Sequence, residues 1–203
     1  MRGAGGIALG EVRRRLESFT PYLPSGNIRH YDRVLHYLLN RHPPGRDGRP
    51  RLLELGSRHG LFLDFLAASG YTDAVGIDMD GDCVALARKR GLDVRLVKAS
   101  QLGRRLGRFD AAFALRFFPV ELKFQGSAQR RAGILATFAG VHACLEPGGT
   151  FFCDAEGPLP VAGIEALGVR IESSLRRTKI HPMIKSRARD DVWVFEKNAD
   201  RRG

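Results

Sequence analysis

The sequence predicts a Rossmann-like, doubly wound α/β fold on a seven-stranded sheet, mostly parallel with an antiparallel last strand. Three observations point there. From Arg51 onward, short apolar runs alternate with segments of helical period. The first run ends in a glycine loop, Gly56-Ser57-Arg58-His59-Gly60. The second ends in an acid, Asp78, 22 residues beyond Gly56. Strands that alternate with helices join through right-handed crossovers and build a parallel sheet.

The elements follow in order. Residues 1–27 are rich in Gly, then basic at Arg13-Arg14-Arg15, then broken by Pro21 and Pro24, and read as a flexible N-terminal segment. One domain is expected over residues 28–203. Between Ile28 and Asn40, Tyr31, Val34, Leu35, Leu38 and Leu39 fall at helical spacing, and His42-Pro43-Pro44-Gly45 stops that helix. Strands are expected at Arg51–Leu55, Ala74–Asp78, Asp93–Val97, Phe109–Leu115, Thr150–Asp154, Val169–Leu175 and Val192–Lys197. Helices are expected at Leu61–Ala68, Asp82–Arg90, Gln129–Leu145 and Val161–Leu167, with Gly70 and Gly91 as C-terminal stops. No strong helix separates the last two strands, so the final strand is expected to run antiparallel.

The glycine loop leaves a strand at its carboxyl end, where open α/β sheets bind ligands. Gly56 and Gly60 permit a tight turn and a close approach of backbone to ligand. The spacing is G-x-x-x-G, so it is neither the G-x-G-x-x-G of dinucleotide folds nor a P-loop, which needs G-K-[ST]. An acid placed like Asp78 accepts hydrogen bonds from ribose hydroxyls; helix capping falls to Asp80 or Asp82.

These residues together resemble the class I S-adenosylmethionine-dependent methyltransferases over residues 28–198. The loop Glu54-x-Gly56-x-Arg58-x-Gly60 is similar to the family's acidic-x-Gly-x-Gly-x-Gly, and Val75-Gly76-Ile77-Asp78 to its ribose motif. Ala85-Leu86-Ala87-Arg88 with Gly91-Leu92-Asp93-Val94, Phe109 to Phe113, and Leu145-Glu146-Pro147-Gly148-Gly149-Thr150 follow in the family's order. The individual elements are common; their order and spacing make the resemblance specific. It implies S-adenosyl-L-methionine as cofactor and methyl transfer as activity. Glu54, Gly56, Ser57, Arg58 and Gly60 would then shape the methionine end of the site. Asp78 would hold the ribose, Met79 would pack on the adenine, and Ser100 or Gln101 would bond it. Leu115 and Arg116 would face the sulfonium and the acceptor.

Two departures stand out. Arg58 replaces the middle glycine and either meets the methionine carboxylate or closes the pocket. Val97-Lys98-Ala99-Ser100-Gln101 lacks the acid that often follows the third strand. No general base is assigned. Displacement at a sulfonium needs alignment and exclusion of water, and a base only where the acceptor must lose a proton. His142 and His181 read as structural, His59 as solvent-facing, and Asp154 and Glu156 as the best-placed acids. Phe117-Phe118-Pro119-Val120 lacks the Asn-Pro-Pro-aromatic motif of base N-methylation.

The net charge is +11, and it is uneven: +5 over residues 1–50, zero over 51–100, +4 over 101–150 and +2 over 151–203. The cofactor segment is thus neutral and the mostly arginine excess surrounds it. Such a surface suits an anionic small-molecule acceptor and leaves nucleic acid open as a partner. Few aromatics accompany the basic clusters, which favours a solvated surface over base stacking. Cys83, Cys144 and Cys153 form no C-x-x-C pair, so a disulfide framework and a metal site are not expected. No run reaches a membrane span, and a cytoplasmic location with no membrane partner is expected. The alternatives kept are a non-catalytic methyltransferase-like module that binds nucleic acid or a protein, and a dehydrogenase, which the loop spacing disfavours.

Overall fold

In the computed structural model the described residues are 31, 34–35, 37–44, 50–103, 106–115, 117–118, 126–154, 159–175 and 192–198. Seven strands form one sheet in the order β3-β2-β1-β4-β5-β7-β6. They are β1 Leu52–Leu55, β2 Ala74–Asp78, β3 Val94–Leu96, β4 Phe109–Ala114, β5 Leu145–Asp154, β6 Val169–Leu175 and β7 Val192–Lys197. β1 to β5 pair in parallel. β7 inserts between β5 and β6 and is antiparallel to both. The sequence expectation of a mostly parallel sheet with a reversed last strand is borne out.

The strands that form the sheet centre are largely apolar because both faces are covered, with Glu54 in β1 and Asp110 in β4 as exceptions. Helical residues between 31 and 41 (α1), Leu61–Ala68 (α2) and Gly81–Lys89 (α3) lie on one face. Tyr31, Val34, Leu35 and Leu38 of α1 pack there with Phe62, Phe65, Leu52, Phe113 and Phe152. Ser127–Cys144 (α4) and Val161–Glu165 (α5) cover the other face. There Phe138 meets Phe151 and Phe195 edge-on, over Leu53, Leu55, Val75 and Ile77. Leu52 and Leu53 fall in opposite cores because successive strand side chains alternate faces. Glu54 therefore shares the face of Leu52.

Local chemistry sets the ends of these helices. Asp80 caps α3 by accepting from the backbone N–H groups of Asp82 and Cys83, so the cap lies ahead of the expected start at Asp82. Gly70 and Gly91 follow α2 and α3 at φ +96° and +81°, where a side chain would be strained. α4 starts at Ser127, two residues before the expected Gln129. It ends at Cys144, one before the expected Leu145, because Leu145 already pairs with Phe109 on β4 and opens β5 five residues ahead of the expected Thr150. Gly149 lies within β5 where its register against β4 shifts: a Cβ there would lie 2.9 Å from the Glu146 carbonyl oxygen. β3 and α5 are each shorter than expected, a fraying at element ends, while α3 keeps its expected length and starts one residue earlier.

The strand order reverses between β1 and β4. From β1 the chain winds outward through β2 and β3, then returns to add β4 and β5 on the other side. A crevice opens at such a switch point, beyond the carboxyl ends of the adjoining strands. Among the described residues no helix is long and apolar enough to cross a membrane. The N-terminal segment 1–27 lies outside the described residues.

Candidate functional site

The loop after β1 is built from its own backbone. Gly56 at φ +70° turns the chain, and the N–H groups of Gly56 and Ser57 both donate to the Ile77 carbonyl at 2.8 and 3.0 Å. Ser57 is buried and its hydroxyl donates to the same carbonyl at 3.4 Å. It fits only because Gly76 has no Cβ, which would stand 2.6 Å from that hydroxyl. The Ser57 side chain is thus turned into the protein. Gly60, at φ +78°, starts α2, and Leu92 and Ala87 occupy the space a Cβ would need. Its missing side chain serves helix packing.

Arg58 is the one described non-glycine residue at positive φ, +48°. The left-handed region costs an L-residue roughly 1–2 kcal/mol. The Arg58 N–H donates to Asp78 Oδ2 at 2.8 Å, which holds the loop in that shape. Its side chain is exposed and hydrogen-bonds the Cys83 thiol, which favours the thiolate, against larger effects of burial and of Asp80 that push the Cys83 thiol up. His59 Nε2 sits 3.4 Å from the same sulfur.

Asp78 ends β2 and is 8% exposed. Its second oxygen accepts from the Asp80 N–H at 2.9 Å. Glu54, one strand away in β1, is 7% exposed, and its Oε2 has no hydrogen-bond partner among the described residues. Burial, reinforced by the Asp78 charge, pushes the Glu54 carboxyl up to about 8. A buried polar atom without a partner is uncommon and calls for a cause. Here two carboxylates meet at the switch point, and among the described residues no Lys or Arg side chain pairs with either.

The remaining expected site residues fall around this pair. Met79, next in chain after Asp78, is exposed. Ser100 and Gln101 are exposed on a 3₁₀ turn, Ala99–Gln101, that follows β3. Leu115, just past β4, is half-buried against the α1–α3 core. Arg116, Glu156 and His181 lie outside the described residues. Asp154 ends β5 opposite Val192. His142 lies on α4, and its carbonyl accepts from Lys197 Nζ at 3.2 Å, away from the crevice. Among the described residues no group of three or more metal-ligating side chains gathers.

Two residues were missed in the sequence. Leu96, opposite Asp78 in register, is an exposed leucine beside the exposed Met79. Phe117 packs over Gly56, its ring 2.7 Å from where a Cβ would sit. Phe117 also meets Phe118 edge-on, which stacks on Phe138 of the α4–α5 core. The signal for Phe117 was its place just after β4, the strand that flanks β1.

No protein-family model and no curated protein matches the sequence. Solved structures do match the fold. CalS10 of Micromonospora echinaspora, an amino pentose methyltransferase seen with S-adenosylmethionine bound, is 14% identical with a TM-score of 0.63. The match covers 98% of this chain and 100% of CalS10. An S-adenosylmethionine-dependent methyltransferase from Clostridium acetobutylicum is 10% identical, with 89% and 95% covered and a TM-score of 0.61. The cyclase SpnF is 22% identical with a TM-score of 0.50; the match covers 70% of this chain, which spans 59% of SpnF's length. The chain thus has the fold of the S-adenosylmethionine-dependent methyltransferases, as the resemblance in its motifs implied.

Proposed function

We propose that this protein is an S-adenosylmethionine-dependent methyltransferase acting on a small, anionic acceptor. The observation that carries the reading is the Glu54–Asp78 pair: two buried carboxylates at the switch point of a methyltransferase fold, one of them with an oxygen lacking a partner. Such a pair suits a ligand that brings both positive charge and hydroxyl donors. S-adenosylmethionine has an ammonium, a sulfonium and two ribose hydroxyls, and when bound it supplies the transferable methyl group. The residues present fit it.

In this reading Glu54 and the loop Gly56, Ser57, Arg58 and Gly60 hold the methionine end, Ser57 through its backbone. Asp78 keeps acceptor capacity for the ribose beyond its two backbone bonds. Met79, with Leu96 beside it, offers an apolar face for adenine, and Ser100 and Gln101 offer its polar partners. Leu115 and Phe117 border the reacting end, where Phe117 excludes water, and the motif resemblance would set Arg116 there too. The arginine excess outside the 51–100 segment favours an anionic acceptor. CalS10, an amino pentose methyltransferase by its description, supports a small-molecule acceptor and says nothing of its charge.

A second reading is a non-catalytic module that binds nucleic acid or a protein. Phe117 favours it, since its ring stands against Gly56 where a ligand would approach. Calorimetric titration with S-adenosylmethionine and S-adenosylhomocysteine separates the two. Binding in the micromolar range is expected, lost in Asp78→Ala and weakened in Asp78→Asn, which keeps one acceptor oxygen. A folded wild type that binds neither ligand sinks the enzyme reading.

A further inference from the structure

Resting on the cofactor reading above, we infer that Glu54 carries a proton in the empty site and releases it to solvent when the cationic cofactor binds, so that the site tells S-adenosylmethionine from its thioether product, which is neutral at sulfur. After methyl transfer the sulfonium charge is gone. Glu54 then takes a proton back from solvent, and the hold on the product weakens.

The geometry supports this from several sides. Glu54 is more than nine-tenths buried, and its Oε2 has no hydrogen-bond partner among the described residues. A carboxylate in that position would be desolvated and uncompensated, which a protein avoids by keeping it protonated. Its strand neighbours in register are Gly76 and Phe113, neither of which offers a side-chain donor. The charged group that bears on it is Asp78 at the end of β2, and the two like charges disfavour ionisation of Glu54 further.

Tyr71 of the α1–α3 core keeps a buried hydroxyl without a hydrogen-bond partner among the described residues, and burial holds it neutral; the other charged and titratable groups of the surrounding elements have different partners. The Arg58 side chain is exposed beside Cys83, and His59 bonds that thiol. Asp64 on α2 is paired with Arg90. On and after α1, Arg41 pairs with Glu196 and His42 bonds Thr150, while Tyr31 and Tyr37 present phenol rings to Phe62 and Phe152. A ligand cation would thus be the compensating charge. The burial and the Asp78 charge that hold the carboxyl up at about 8 are the forces such a cation would overcome.

The ligands differ by one charge at sulfur and share their amino group. Titrating each into the 203-residue chain, in buffers of different ionisation enthalpy, counts the protons released. For a carboxyl at about 8, S-adenosylmethionine should release about 0.9 proton at pH 7, and its affinity should rise about ninefold from pH 6 to 7 and about fivefold from pH 7 to 8, then level. The thioether should show less than half of either effect, and Glu54→Gln should release no proton on binding S-adenosylmethionine. If Glu54→Gln binds too weakly to measure, the wild-type count, corrected with the thioether series, decides: it should fall through half its maximum near pH 8.

Binding of both ligands with equal proton counts overturns the inference and leaves the cofactor reading standing. So does binding with no dependence on buffer. No binding of either ligand to folded protein overturns both.

Discussion

Two glutamates are buried to nearly the same degree in one sheet, Glu54 at 7% and Glu196 at 8% exposure. Their surroundings are opposite. Glu196 on β7 gives one oxygen to Arg170 directly across on β6, at 2.9 Å, and the other to Arg41 at the end of α1, at 3.0 Å. Thr150 opposite it on β5 is held in turn by His42. Glu54 has the Asp78 charge beside it and an oxygen without a partner. Glu196 lies level with Thr150, toward the amino ends of the parallel strands; Glu54 lies near their carboxyl ends. The fold pairs its buried acid where the role is structural. It leaves one unpaired at the edge where doubly wound sheets take ligands.

The largest effect that tests this contrast is the pH dependence of stability. The Glu54 carboxyl stands at about 8 in the fold against an ordinary 4.5. The folded state therefore binds more protons between these values, and the contribution of Glu54 is full below pH 4.5 and lost as pH rises to 8. That loss should be about 3–5 kcal/mol, and Glu54→Gln should remove it. Urea unfolding at pH 5 and pH 8 measures it; equal pH slopes in wild type and Glu54→Gln would erase the contrast between the two glutamates.

A smaller effect is expected at the paired acid. Glu196→Gln should cost about 1 kcal/mol, because Arg41 and Arg170 are half-exposed and turn to water when their partner loses its charge. A loss above about 3 kcal/mol would show that Glu196 behaves as a sealed ion pair.

The smallest effect is at the loop. Arg58→Gly relieves a left-handed residue but frees the unfolded chain, so a gain of about 0.5 kcal/mol is expected. Cofactor affinity should be kept, since the Arg58 contribution to Asp78 is a backbone N–H. A large loss of affinity with stability unchanged would instead give the exposed guanidinium a direct part in binding.

Legibility in the sequence was uneven for physical reasons. β2, β6 and β7 match their expected bounds, and so does α2. Apolar runs and glycine stops are local signals that side-chain periodicity carries directly. The loop and its acids, Glu54, Gly56, Gly60 and Asp78, were also legible, because a tight turn after a strand demands glycine. What Gly60 and Ser57 do was not. Gly60 makes room for Leu92, and Ser57 bonds Ile77, through contacts 20 or more residues apart in the chain.

The sequence by itself determined the alternation of strands and helices, the glycine turn after β1 and the acids that flank it, since each depends on neighbours within a few residues. Only the tertiary structure decided that β7 slots between β5 and β6, that Phe117 lies on Gly56, and that Glu196 finds two arginines while Glu54 finds none among the described residues. Those outcomes depend on which distant segments the sheet order brings together, and partnership across such distances is a property of packing rather than of local pattern.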